Sequence, residues 1–232
     1  MNPIAALART IDHTLLAAST TRSDVRVLCR EALDEGFATV CVNPCWVGEV
    51  AGQLRGTSVQ VATVIGFPLG ATTTASKVAE AREALASGAR ELDMVLALGL
   101  LRSGEDDAVT VDVAAVAAVA AEAGALLKVI LETALLDTEE KERAARLAVA
   151  GGADFLKTST GFAPRGATVE DVALLRRCAP PGVEVKASGG VRTFAQARAM
   201  LAAGATRLGT SAGVAILAEA RGYYAGRSGS QQ

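Results

Sequence analysis

The sequence predicts a single domain of the α/β class, a (β/α)8 TIM barrel, over residues 1–225. Three observations predict it. The chain has 232 residues, close to the usual size of one such barrel. Half of its residues are hydrophobic but only 3% are aromatic, so the core must be built from Ala, Val and Leu. Barrel interiors and their helical coats are filled in that way. Finally, one local pattern recurs: a helical stretch closes on Gly and a small residue, and a short apolar run follows.

The pattern appears at Gly36, Gly88, Gly124, Gly152 and Gly204, with spacings of 52, 36, 28 and 52 residues. Glycine just past a helix is the left-handed stop signal, and the β-rich run after it reads as the next strand. At about 30 residues per helix–strand unit, each wide spacing holds two units. The runs Val59–Ile65 and Val183–Ala187 supply the two missing strands. With the first run, Ile11–Leu16, eight strands are expected, starting near Ile11, Thr39, Val59, Glu91, Leu126, Phe155, Val183 and Arg207. Helix starts are expected where a capping residue precedes an acid by three positions: Thr21 and Asp24, Ser103 and Asp106, Asp137 and Glu140, Thr168 and Asp171. An open doubly wound sheet is the rival fold, but no Gly-x-Gly-x-x-Gly follows the first strand. Residues 226–232 read as a disordered tail.

Composition narrows the function. A net charge of −2 and few aromatic rings leave neither a basic track nor stacking platforms, so nucleic acid is not an expected partner. The start of the chain lacks a signal-peptide pattern, and no apolar stretch reaches the length of a membrane span, the Ala/Val-rich run near Val113–Ala121 included. A cytoplasmic protein with no membrane partner is expected. Cys29, Cys41, Cys45 and Cys178 form no metal-binding pattern and read as free thiols. His13 is the single histidine, which excludes sites made of several imidazoles, and its expected role is structural.

In this fold the active site lies at the C-terminal ends of the strands. The fourth strand carries Asp93, the fifth Lys128, the sixth Lys157 and the seventh Lys186. Lys157 and Lys186 each head a Lys-x-Ser-x-Gly segment, 29 residues apart on consecutive strands. Neighbouring strands are about 4.8 Å apart, so two inward lysines at one height must be close. Mutual repulsion and an apolar wall both lower an amine's pKa, and a neutral lysine is a nucleophile. Asp93 could be an ion-pair partner or a proton carrier on spacing alone. Glu91 and Glu184, one pleat lower, are expected to be internal ion-pair partners. Gly161, Gly189, Gly190 and Gly209 follow the last three strands, and Ser211 stands at the last helix. Ser211 is expected to begin that helix, and this is the usual place of a barrel phosphate site, where backbone N–H groups meet the anion.

At these residues the chain resembles the deoxyribose-phosphate aldolase family. The resemblance runs from Ile11-Asp12-His13-Thr14-Leu15-Leu16 through Val40-Cys41-Val42-Asn43-Pro44 and Val64–Thr74. It continues through Glu91–Val95, Lys157–Phe162 and Lys186–Arg192 to Gly209–Gly213. It implies reversible cleavage of 2-deoxy-D-ribose 5-phosphate to acetaldehyde and D-glyceraldehyde 3-phosphate, with neither metal nor organic cofactor. Carried over by motif, Lys157 is the Schiff-base lysine, and Lys186 the second lysine, which lowers the pKa of the first and joins a proton relay. Asp93 is the carboxylate of that relay. Gly161, Gly189, Gly190, Gly209 and Ser211 are the phosphate loops.

Some relatives have a lysine where Phe162 stands, so phosphate affinity here would rest more on backbone amides. Some end in a tyrosine that this chain lacks at its end, and Tyr223 and Tyr224 take no assigned role. The alternative is another Schiff-base aldolase or a transaldolase-like barrel acting on a small phosphorylated sugar. A catalytically silent phosphate-binding barrel is a third reading, against which the intact Lys157, Lys186 and Asp93 argue. Apolar helix faces suggest a homodimer.

Overall fold

Eight parallel strands pair in chain order, and the last returns to the first to close a barrel. They are β1 (Ile11–Leu15), β2 (Thr39–Val42), β3 (Gln60–Ile65), β4 (Glu91–Val95), β5 (Leu126–Ile130), β6 (Phe155–Lys157), β7 (Glu184–Ser188) and β8 (Arg207–Thr210). The structure is a computed structural model and describes residues 2–228. Six strands start where the sequence placed them, while β3 and β7 start one residue later.

The helices are α1 (Pro3–Ala8), α2 (Arg22–Glu35), α3 (Val47–Gln53), α4 (Thr74–Ala86), α5 (Leu98–Arg102), α6 (Asp106–Glu122), α7 (Thr138–Ala150), α8 (Val169–Cys178), α9 (Phe194–Ala202) and α10 (Gly213–Ser228). Capping boxes start α2 at Thr21 and Asp24 and α7 at Asp137 and Glu140, as expected. Thr168 caps α8 by accepting from the Asp171 amide. All five repeat glycines have the positive φ of a helix stop.

Three expectations need correction. Ser103 does not start a helix: it closes the short α5, and its hydroxyl donates to the Gly99 carbonyl at 2.8 Å. Helix α6 is entered from Glu105 without a side-chain cap. A further helix, α1, precedes the first strand, started by Asn2 and by Pro3 in the first turn. Helix α10 runs through Ser228, three residues into the expected tail, and the rest of that tail, residues 229–232, lies outside the described residues.

Strand alternation sorts the core into two parts. Outward residues such as Ile11, Val40, Leu92, Met94, Leu127, Val129, Leu156, Val185 and Leu208 pack against the helices in one large aliphatic cluster. Inward residues of β2 and β3, namely Cys41, Ala62 and Val64, form a small separate cluster with Leu16 and Phe67. His13 faces outward, with Nε2 2.7 Å from Glu31 on α2 and its ring against Phe37. That is a structural position away from the barrel interior.

Candidate active site

The inward face also carries a group of charged side chains. Asp12 comes from β1, Glu91 and Asp93 from β4, Lys128 from β5, Lys157 from β6, Lys186 from β7 and Arg207 from β8. Apolar strands can carry such residues only because period-2 alternation turns them all to one face. Lys157 and Lys186 are direct register partners across β6 and β7. Both amines reach one oxygen: Asp93 Oδ2 accepts from Lys157 Nζ at 2.8 Å and from Lys186 Nζ at 2.7 Å. Asp93 Oδ1 accepts from Lys128 at 2.7 Å.

The other carboxylates are as fully engaged. Lys186 also donates to Asp12, and Arg207 reaches Asp12 at 2.7 Å. Arg207 and Lys128 both meet Glu91, at 3.0 Å and 2.7 Å. Glu91 is therefore the internal ion-pair partner expected of it. Glu184 is not: it is half-exposed, and Arg176 of α8 lies 3.9 Å away.

Burial and charge act differently on each group. For Lys157 burial is the largest influence and favours the neutral amine; Asp93 opposes it, Lys186 adds to it, and the pKa is lowered. For Lys186 burial is again largest, but Asp12 and then Asp93 outweigh it, and the pKa is raised. Lys128 is raised in the same way by Asp93 and Glu91. Burial disfavours the charge of Asp93, yet Lys128, Lys157 and Lys186 hold its carboxyl well below the usual range. Burial, with a smaller contribution from Asp93, pushes the Cys41 thiol up to about 11. Lys157 is thus the interior lysine inclined to be neutral, beside a fixed carboxylate and a fixed cation.

Above Lys157 lies a cavity of 380 Å3. Its lining includes Lys157 and all five residues expected to meet phosphate: Gly161, Gly189, Gly190, Gly209 and Ser211. Gly190 has φ +80, a left-handed conformation that favours glycine. Gly209 has a second reason to lack a side chain. A Cβ there would lie 3.0 Å from Lys186 Cε, so the glycine makes room for that lysine. Ser211 stands two residues before α10 and does not begin it. Phe162 also lines the cavity and meets Phe67 edge-on at 5.3 Å. Arg192, to which the sequence assigns no role, brings a cation to the same wall.

Local sequence alone assigns no role to Asp12, Lys128 or Arg207 either. Each is a charged residue on a strand, and their shared inward parity with Asp93 and Lys186 is the signal that points to them. Among the described residues, no group of three or more His, Cys, Asp or Glu is placed to hold a metal ion.

Fold and site define the class: a (β/α)8 barrel enzyme with buried lysines at the C-terminal mouth of its strands, beneath a glycine-lined cavity. The sequence model described as DeoC/LacD family aldolase matches residues 6–227, and the chain belongs to that family. It is 54% identical over 216 residues to deoxyribose-phosphate aldolase 2 of Bacillus licheniformis, covering 93% of this chain and 96% of that one. It is 55% identical over 211 residues to the deoxyribose-phosphate aldolase of a Geobacillus species, covering 91% and 94%. Among solved structures, the tetrameric deoxyribose phosphate aldolase of Aeropyrum pernix superposes with a TM-score of 0.89 at 37% identity, covering 95% of this chain and 93% of that one.

Proposed function

We propose that the protein is a deoxyribose-phosphate aldolase that works through a Schiff base on Lys157. The observation that carries this reading is the placement of Lys157. Its buried amine is held at 2.8 Å by Asp93 and opens into a cavity lined with glycine turns. The neutral Nζ attacks C1 of the open-chain sugar, and loss of water leaves an iminium. The iminium draws electrons from the C2–C3 bond. That bond breaks as the 3-hydroxyl gives up its proton, releasing D-glyceraldehyde 3-phosphate and leaving an enamine. Protonation at C2 and hydrolysis release acetaldehyde and return the free amine.

Each proton step needs a positioned acid or base, and Asp93 and Lys186 fill that role through water. Gly161, Gly189, Gly190, Gly209 and Ser211 receive the phosphate, chiefly by backbone N–H groups, and Arg192 adds a charge. We further read the enzyme as cytoplasmic and self-associating. All four cysteines are free thiols, and among the described residues no helix is long and apolar enough to cross a membrane. Val27, Leu33 and Val111 leave apolar surface on α2 and α6.

The test is product analysis with 2-deoxy-D-ribose 5-phosphate. The expected products are acetaldehyde and D-glyceraldehyde 3-phosphate in equal amounts, with borohydride inactivating the enzyme only when substrate is present. Transfer of a three-carbon unit between sugars, without free acetaldehyde, would favour a transaldolase-like enzyme.

A further inference from the structure

The barrel interior holds three carboxylates, Asp12, Glu91 and Asp93, and four cationic side chains, Lys128, Lys157, Lys186 and Arg207. Six of these seven form a closed ring of alternating charge. From Asp12 the ring passes to Lys186, then to Asp93 at 2.7 Å and Lys128 at 2.7 Å. It continues to Glu91 at 2.7 Å and Arg207 at 3.0 Å, and returns to Asp12 at 2.7 Å. Every carboxylate in the ring touches at least two ring cations, every cation touches at least two carboxylates, and Lys128 also reaches across the ring to Asp12 at 3.9 Å. Lys157 stands outside, attached at Asp93 alone.

We propose that Lys128 and Arg207 are positioning residues: they complete a neutral ring that leaves Lys157 as the surplus interior amine, free to be uncharged. This rests on the reading of Lys157 as the reacting group. Neither Lys128 nor Arg207 lines the cavity, so neither is placed to touch substrate. Their action is through charge balance. An uncompensated charge in a dry interior is costly, and the group able to relieve it by losing a proton does so. With the ring intact, three negative and three positive charges cancel, and a charged Lys157 would leave one cation over. The charged groups of the interior around Lys157 enter this count: Asp12 on β1, Glu91 and Asp93 on β4, Lys128 on β5, Lys186 on β7 and Arg207 on β8, while Arg192 on the cavity wall is solvent-exposed and is the same in every variant below. Strand β2 adds the neutral Cys41 thiol, and the buried inward residues of β3 are the apolar Ala62 and Val64. The lowered pKa of Lys157 beside the raised values of Lys128, Lys186 and Arg207 agrees with the ring's division of roles.

The experiment breaks the ring in opposite senses. Glu91→Gln removes a negative charge with little change of shape. The acid limb of the kcat/KM profile for 2-deoxy-D-ribose 5-phosphate should move to lower pH, because a charged Lys157 is disfavoured further. Lys128→Met removes a positive charge, and the limb should move to higher pH by about one unit, a loss of about tenfold at a fixed pH on that limb. The double variant Glu91→Gln/Lys128→Met restores the balance and should return the limb toward its original place. The pH dependence of borohydride trapping with acetaldehyde should follow the same three shifts. A merely structural role would lower activity in each variant without moving the limb in opposite directions. Shifts of the same sign, or no shift in folded variants, overturn the proposal. If Lys128→Met does not fold, the sign of the Glu91→Gln shift alone decides. Peptide mapping of the trapped enzyme separates the two readings: label on another lysine refutes the role of Lys157 itself, whatever the limbs do.

Discussion

Strands β6 and β7 end in matching segments, Lys157-Thr158-Ser159-Thr160-Gly161 and Lys186-Ala187-Ser188-Gly189-Gly190, and their lysines are register partners. Their electrostatic settings are opposite. Lys186 donates to two carboxylates, Asp12 and Asp93, and its pKa is raised. Lys157 has Asp93 alone, borders the cavity, and its pKa is lowered. One carboxylate from β1 makes the difference. Two amines of the same chemistry, sharing one oxygen of Asp93, become a fixed cation and a potential nucleophile. Matching local sequence can thus serve unlike tasks when barrel closure distributes the counter-charges unequally.

The largest loss is expected at Lys157. Lys157→Ala should lower kcat by at least about 10^4-fold, as loss of a covalent nucleophile does, and should abolish borohydride inactivation. Retention of substrate-dependent inactivation would move the nucleophile elsewhere. Lys186→Leu should lower kcat at pH 7 by about 10^2- to 10^4-fold, the range for a positioned acid or base. It also removes the cation shared by Asp12 and Asp93, so the pKa of Lys157 should rise. If charge is its main contribution, part of the activity returns at alkaline pH. If proton transfer is, activity stays low throughout. Near-normal activity at pH 7 would contradict both roles.

Asp12→Asn makes the two strand ends more alike. It leaves Lys186 and Arg207 short of a buried partner, at a cost of about 3–5 kcal/mol in chemical denaturation at pH 7. The pH dependence of that cost has a definite sign. The folded pKa of Asp12 is depressed, so its contribution to stability is fully present above the unfolded value of about 3.9 and is lost as pH falls through the folded one. The gap between wild type and variant should therefore narrow below about pH 4. A gap constant with pH would mean that Asp12 acts through packing. The smallest effect is expected at the phosphate end. Gly190→Glu should raise KM for 2-deoxy-D-ribose 5-phosphate by about tenfold or more, equivalent to a lost charged hydrogen bond of about 1.5–3 kcal/mol. KM for unphosphorylated deoxyribose should change little. Equal losses for both substrates would mean that the turn serves the fold.

Much of this was legible in the sequence because it follows from local rules. The glycine-terminated repeat marks the strand starts, since a left-handed residue must end each of those helices. Lys157, Lys186 and Asp93 stand out as charges in apolar runs, and alternation turns all three inward. Asp12 was not legible as their partner: it lies 174 residues from Lys186, and only the pairing of β1 with β8 brings it there. The ring through Lys128, Glu91 and Arg207 needs the same closure. Helix α1 has six residues, too few to show a period. Ser103 misled because a serine followed three positions later by an acid also fits a helix end, and here Gly104 carries the chain out of α5 with φ +80.

The division of labour between Lys157 and Lys186 can be read from a single labelling experiment. The wild-type enzyme is incubated with acetaldehyde, reduced with borohydride, digested and mapped by mass spectrometry. An N-ethyl group is expected on Lys157, with Lys186 unmodified. An N-ethyl group on Lys186 with Lys157 untouched would contradict that division, and would exchange the roles assigned to the two strand ends.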